Sequence, residues 1–327
     1  MSQLLWLAAL LKSQYFSSVP VPNTSFEGQT TIVTGANTGL GFEAAKHFVK
    51  LNASRVIIAC RNLEKGEAAK KAIEGEAKRT GVVEVWQLDL SSYNSVKAFA
   101  ARASTLDRID VLLENAGIST SKFSIMEDNE SSITVNVVST FLLALLMMPK
   151  LKEMSKKFNK QPHLVIVSSE VHGLTDLPER KDPSGDIFAT LNDKSKAAMS
   201  ARYPTSKLLE VLIVRAMVEQ QMQPGYPVLI NYVNPGFCRS ELMREVGLLR
   251  QIVYLFLNAR STEKGSRTLV HASQAGPKSH GQYMSNCAVD VPSAWVRSEE
   301  GRKTGERVWK ELSRKLEGIE PGILANL

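Results

Sequence analysis

The sequence predicts an α/β fold in one large domain: a doubly wound parallel sheet covered by helices on both faces. Three observations carry this. Short β-branched apolar runs alternate with longer helical stretches along most of the chain. Most of those runs are nearly all apolar, as strands buried on both faces must be. And the first run leads directly into a glycine-rich turn that opens a helix, a strand–turn–helix order found in βαβ folds.

The strands are expected at Thr30–Thr34, Arg55–Cys60, Val82–Leu88, Val111–Leu113, Leu164–Ser168 and Val228–Val233, with Gln282–Ser285 a weaker seventh. Phe42, Ala45 and Val49 share one helical face after the first strand. Longer helices are expected over Asp128–Lys152 and Pro204–Met222, and Ser261-Thr262-Glu263 has the hydroxyl cap and early acid of a further helix start. Two stretches break the rhythm. Val171–Arg202 is polar and charged and reads as an insertion beside or over the site. Ser240–Arg260 carries an apolar, leucine-rich set.

With 327 residues and 43% apolar content the chain can bury a substantial core. The net charge of +7 suits a phosphorylated ligand or a solvated basic surface. There is no zinc-finger spacing, RNA-binding signature or basic tail, so a nucleic-acid partner is not expected. The three cysteines, Cys60, Cys238 and Cys287, are widely spaced and odd in number. They indicate neither a disulfide framework nor a metal site, and a reducing, cytoplasmic setting is the simplest inference. Residues 1–27 read as an N-terminal extension ahead of a domain over 28–327. Its apolar run, residues 4–11, is too short to span a bilayer, which takes about 20 residues. We expect a short helix packed on the domain; the alternative use is a weak membrane-surface or substrate-entrance contact, to which Trp6 is suited.

The glycine turn reads Thr34-Gly35-Ala36-Asn37-Thr38-Gly39-Leu40-Gly41. Its glycines would let the backbone approach a pyrophosphate, with the helix N-terminus supplying free N–H groups. The spacing is GxxxGxG, and no Lys-Ser/Thr pair follows as a P-loop would require. The second strand ends in Cys60 and Arg61, where sites selective for NAD usually place a carboxylate on the ribose 2′-hydroxyl. An arginine there can bond a 2′-phosphate, so NADP(H) is the expected cofactor.

These features, together with Asp89-Leu90, Asn115-Ala116-Gly117, Asn136, Ser169, Tyr203-Pro204-Thr205-Ser206-Lys207 and Asn234-Pro235-Gly236 in that order, resemble the short-chain dehydrogenase/reductase family. The Ala-Cys-Arg-Asn stretch and the helix from Tyr203 to Lys207 look like the branch containing retinol dehydrogenases and fungal secondary-metabolism reductases. The resemblance implies a Rossmann-like domain of about seven strands and an NADP(H)-dependent oxidoreductase. It implies Tyr203 as acid/base, Lys207 beside it, Ser169 on the substrate oxygen, and Asn136 holding a water near the lysine. It also implies cofactor contacts from Gly35, Asn37, Thr38, Gly39, Leu40, Gly41, Arg61, Asp89, Leu90, Asn115, Ala116, Gly117, Pro235, Gly236 and Ser240, as well as from Tyr203 and Lys207. No metal is expected.

The chemistry is physically consistent. Residues four apart share a helix face, so Lys207 can reach Tyr203. Bringing a phenol from near ~10 to near ~7 takes roughly 4 kcal/mol of differential stabilisation. Tyr93 and Lys97 have the same spacing but lie too early in the chain, and read as solvated helix surface. Glu114 replaces the first asparagine usual before Asn115; the sequence assigns it no role, and an acid there could disturb hydrogen bonds at the sheet centre. The apolar set in 240–260 follows the turn at Pro235 and suggests a cover over a lipophilic ketone, aldehyde or secondary alcohol, as in polyketide or terpenoid biosynthesis. Carbonyl reduction is the expected direction. The competing readings are an alcohol-oxidising dehydrogenase and a nucleotide-binding scaffold that has lost chemistry. Homo-oligomers through long helices are common in the family, an expectation the extension and the insertion complicate.

Overall fold

Seven strands run parallel and an eighth turns back along one edge. In the computed structural model, which describes residues 3–183, 185–239 and 257–327, the strands are β1 (Thr30–Thr34), β2 (Arg55–Cys60), β3 (Val83–Gln87), β4 (Val111–Glu114), β5 (His163–Val167), β6 (Leu229–Asn234), β7 (Tyr283–Ser285) and β8 (Ala288–Asp290). Their order across the sheet is β8-β7-β6-β5-β4-β1-β2-β3. The chain builds outward from β1 through β2 to β3, then crosses back to β4 and builds the other way. The carboxyl ends of β1 and β4, paired in parallel with Val33 opposite Leu113, therefore border the switch-point crevice where such sheets take ligands.

The central strands feed two cores, because successive side chains point to opposite faces. Ile32, Ile57, Leu112, Leu164 and Ile166 point into one apolar cluster. Val33, Ile58, Leu113, Val165 and Val167 point into the other. The first layer is closed by α4 (Tyr93–Ser104), α5 (Ser131–Phe158) and α6 (Met199–Gln221), the second by α2 (Gly39–Lys50), α3 (Leu63–Ala77) and α7 (Thr262–Ala272). Helix α5 is long and apolar enough by composition to cross a membrane, but 94% of its apolar window is buried inside the fold.

Helix boundaries differ from the sequence reading for local reasons. Helix α5 starts at Ser131 because Glu130 accepts from Ser132 N and caps it, while Asp128 is engaged by Tyr93 and Lys315. It continues past Pro149 to Asn159, whose left-handed φ of 48° ends it. Helix α6 begins at Met199, five residues before Pro204, and Arg202 anchors that first turn through Leu191 O at 3.0 Å. The cap at Ser261 is as expected, accepting from Lys264 N. Cys60, Cys238 and Cys287 are free thiols.

Two peripheral segments are tied down. The middle of the stretch 171–202, expected over or beside the site, is seated on the C-terminal helix α8 (Glu299–Ile319): Ile187 N donates to Glu311 and Arg307 donates to Arg180 O. Leu177, Ile187 and Leu191 are fully buried there. The N-terminal helix α1 (Gln3–Phe16) docks near the carboxyl ends of the strands. Trp6 Nε1 donates to Glu170 O at 3.1 Å and Gln14 Nε2 to Phe237 O at 3.1 Å, and Leu10 is buried. Helix α8 lies along α6, and the turn Ile323–Asn326 closes onto α5 through Asn326 Nδ2 and Leu145 O.

Candidate active site

The turn after β1 is fixed from below by side chains and left open above. Thr34 Oγ1 accepts from both Asn115 N (3.0 Å) and Ala116 N (2.9 Å), and Asn115 Nδ2 donates to Thr34 O (2.9 Å). These bonds lash the end of β4 to the end of β1. A Cβ on Gly41 would sit 2.5 Å from Asn115 Nδ2 and 2.8 Å from Gly35 O, so the helix can start this close only as glycine. Gly39, at φ +65°, would meet nothing within 4 Å. Thr38 caps α2 without a side-chain bond. The first N–H groups of the helix thus face open space flanked by Asn37 and Leu40, which fits a pyrophosphate.

The adenosine end is less built. Asp89 spends one carboxylate oxygen on Ser91 N (3.0 Å) and Ser91 Oγ (2.7 Å), shaping the turn after β3, and Leu90 is buried. Cys60 is buried at the end of β2, and Asn62 caps α3 through Lys65 N. Arg61 lies exposed between them and makes no ion pair among the described residues.

The segment after β4 leads to the reacting groups. Asn136 is fully buried in a π-helical turn, Thr134–Val138. Its Oδ1 accepts from Ile118 N (2.8 Å), and its Nδ2 donates to Ile118 O (2.9 Å) and Ser206 Oγ (3.0 Å). These bonds tie the β4 loop to α6. Gly117 is the contact point: a Cβ there would lie 3.2 Å from Asn136 Oδ1 and 3.8 Å from Lys207 Nζ.

Tyr203 and Lys207 lie one turn apart on α6, with Lys207 Nζ 5.8 Å from the centre of the Tyr203 ring. The ammonium donates to Val167 O (2.8 Å) and to Glu210 Oε1 (2.7 Å). The Tyr203 hydroxyl shares a hydrogen bond with Ser169, yet burial, reinforced by Glu210, pushes its pKa well above the ordinary phenol range. Ser169 is held through its own backbone. His172 Nδ1 lies 2.7 Å from Ser169 O and its Nε2 accepts from Ser293 N at 2.9 Å. Those partners require the proton on Nδ1, and burial pushes this imidazole down to about 4, so it stays neutral.

Beyond β6, Gly236 takes φ +80° and donates its N–H to Asn234 Oδ1 (2.9 Å). Arg260, buried, holds this turn by donating to Pro235 O (3.1 Å) and reaches Ser13 O (3.0 Å) and Asn286 Oδ1 (2.6 Å). Gly265 on α7 lets Leu40, Cys238 and Pro235 O approach the helix backbone where a Cβ would stand. Ser240 and most of the 240–260 segment lie outside the described residues.

Two expectations need correction. Tyr93 is not solvated: it is buried, donating to Asp128 (2.6 Å) and accepting from Asn129 (2.9 Å), while Lys97 pairs with Glu320. Glu114 does not disturb the sheet centre, because the backbone bonds to Thr34 survive beside it. The sequence reading missed Arg260, His172 and Glu210. Only Glu210 left a local trace, a charge inside the apolar run 208–214.

A phosphate cradle at the switch point, with a tyrosine, lysine and serine gathered beside it, defines the class as a nucleotide-dependent oxidoreductase fold. The comparisons with known proteins agree. The family model described as short chain dehydrogenase matches residues 29–181. The short chain dehydrogenase/reductase dmxR8 of Cryptosporiopsis sp. is 51% identical over 320 residues, covering 97% of this chain and 99% of its own. The short-chain dehydrogenase anuD of Penicillium roqueforti is 44% identical over 325 residues, covering 96% and 84%. A solved NAD(P)-dependent gluconate 5-dehydrogenase of Beutenbergia cavernae, itself described as putative and carrying NADP at low occupancy, superposes with a TM-score of 0.60 at 20% identity, covering 84% of this chain and 99% of its own. The chain belongs to the short-chain dehydrogenase/reductase family, whose members use nicotinamide cofactors.

Proposed function

We propose that this protein is an NADP(H)-dependent reductase of a lipophilic ketone or aldehyde, interconverting it with the secondary or primary alcohol in secondary-metabolite biosynthesis. The observation that carries the reading is the Tyr203 hydroxyl bonded to Ser169, one helical turn from a buried lysine and next to an open phosphate cradle. The nicotinamide supplies or accepts the hydride. Ser169 hydrogen-bonds the substrate oxygen and fixes its position. Tyr203 holds its proton until negative charge grows on that oxygen, then donates it. Lys207 sets the electrostatics of the phenol, and Asn136 keeps the Gly117 loop and α6 in register.

Gly35, Gly39 and Gly41 with Asn37, Thr38 and Leu40 would hold the pyrophosphate. Asp89, Leu90, Asn115 and Ala116 would line the adenosine side, and Pro235, Gly236 and Ser240 the nicotinamide side. The absence of a carboxylate at Cys60, with Arg61 exposed next to it, supports NADP(H) over NAD(H). The leucine-rich 240–260 segment supports an apolar substrate, and the fungal relatives support a biosynthetic setting.

The test is a fluorescence titration with NADPH and with NADH, repeated on Arg61→Ala and Tyr203→Phe. We expect NADPH to bind more tightly, Arg61→Ala to erase most of that preference, and Tyr203→Phe to bind NADPH while losing turnover. Equal losses for the two cofactors in Arg61→Ala, or retained turnover in Tyr203→Phe, would overturn the reading.

A further inference from the structure

The turn after β6 touches both halves of the site. Ser168 N donates to Val233 O at 2.9 Å, which sets the end of β6 beside the end of β5, where Ser169 follows. The same turn meets the phosphate cradle at Gly265. A Cβ there would stand 2.3 Å from Cys238 Sγ, 2.8 Å from Leu40 Cδ2 and 3.4 Å from Pro235 O. A dinucleotide with its phosphates at Leu40 and its reacting ring at Ser169 and Tyr203 must therefore pass over Pro235 and Gly236.

What holds this turn comes from distant parts of the chain. Arg260 is 3% exposed and its guanidinium packs on Gly236: a Cβ on that glycine would fall 2.5 Å from Nη1 and 2.9 Å from Cζ. Nη1 donates to Pro235 O at 3.1 Å. Nη2 donates to Ser13 O on α1 at 3.0 Å and to Asn286 Oδ1, in the β7–β8 turn, at 2.6 Å. The Arg260 backbone adds a bridge, its N–H donating to Phe237 O (2.8 Å) and its carbonyl accepting from Arg239 N (2.9 Å). Helix α1 grips the same place again through Gln14, which is 2% exposed and donates to Phe237 O at 3.1 Å. Nearer its start, α1 reaches Glu170, the residue after Ser169, through Trp6.

We propose that Arg260 is a positioning residue for the nicotinamide half of the cofactor and that α1 is the strut it braces against, so that the N-terminal extension is part of the cofactor site. This rests on the cofactor placement proposed above. Gly236 sits at φ +80° with its N–H on Asn234 Oδ1, and a turn this short keeps its shape through its anchors. A guanidinium suits the task because its rigid planar fork donates in several directions at once, whereas a lysine offers one point charge on a flexible stem. Burying the group is costly, and the oxygens of Pro235, Ser13 and Asn286 offset that cost only while all three elements stay in place.

Equilibrium titrations on the full-length chain separate the two halves of the cofactor. NADPH carries the nicotinamide; 2′,5′-ADP presents the same 2′-phosphorylated adenosine without it. Arg260→Ala should bind NADPH about tenfold more weakly, the worth of one hydrogen bond to a charged group, and 2′,5′-ADP within about twofold of wild type. Arg260→Lys keeps the charge but not the fork and should lose nearly as much. Gln14→Ala should weaken NADPH alone, by about threefold. Equal losses for the two ligands in the Arg260 variants, or full NADPH affinity in Arg260→Lys, would overturn the bracing. Unchanged NADPH binding in Gln14→Ala would overturn the strut. If Arg260→Ala does not fold, Arg260→Lys and Gln14→Ala decide. Should wild type prefer NADH, the NADP(H) reading fails, while the same comparison run with NADH and 5′-ADP still decides the role of Arg260.

Discussion

Replacing Asn136 with alanine tests whether this side chain is a clamp. Its amide makes three bonds to the protein: one accepted from Ile118 N and two donated, to Ile118 O and Ser206 Oγ. Ser206 keeps its donation to Tyr203 O at 2.8 Å after the change. The groups left orphaned are therefore the two backbone atoms of Ile118. An unsatisfied buried group costs about 1–3 kcal/mol. Ile118 is only part-buried, so water can reach some of it, and we expect a loss of about 2–3 kcal/mol. Urea unfolding followed by circular dichroism reads this directly: the midpoint should fall while the slope stays constant, since the surface exposed on unfolding is unchanged. Turnover should fall as well, because the Gly117 loop and α6 lose their common tie. A loss below about 0.5 kcal/mol at constant slope would refute the clamp.

Three further outcomes follow from the same geometry. Gly41→Ala should destabilise the fold through its contact with Asn115, whereas Gly39→Ala should cost only about 1–2 kcal/mol of left-handed strain yet weaken NADPH binding; thermal melts and cofactor titration in the reverse order would contradict this. Arg260→Ala should loosen the N-terminal helix, read as faster tryptic cleavage after the exposed Lys12, and unchanged cleavage would argue against the tie. Stability should also decline as pH rises. Glu210 is raised from 4.5 to about 7, so the native state holds a proton that the unfolded chain gives up. Its contribution is complete below about pH 4.5 and lost through pH 7, on the order of 3 kcal/mol. A melting temperature with the same pH slope in Glu210→Gln would sink that assignment.

Much of this architecture was legible because its signals are local. Strand bounds follow from apolar runs, and the cradle from glycines at fixed spacing between a strand and a helix. Tyr203, Lys207 and Ser169 were marked by their order relative to those strands. What escaped was set by contacts between residues far apart in the chain. Glu114 was noticed but given no role, because its burial is set by elements distant in the chain. Tyr93 seemed a surface residue because Asp128 and Asn129, which bury its hydroxyl, sit beyond the next strand. Arg260 links Pro235, Ser13 and Asn286, three places no periodicity connects. Strand β8 is three exposed residues with no pattern to read.

The placement of the C-terminus has a consequence for assembly. Helix α8 already lies on α6, and the final turn is pinned to α5 by Asn326. A second copy could pair through the outer sides of those two long helices only by stripping residues 299–326 from its own core, where Val308, Trp309 and Leu312 are buried. Any self-association that leaves the protomer intact and keeps this helix seated must find a different meeting place.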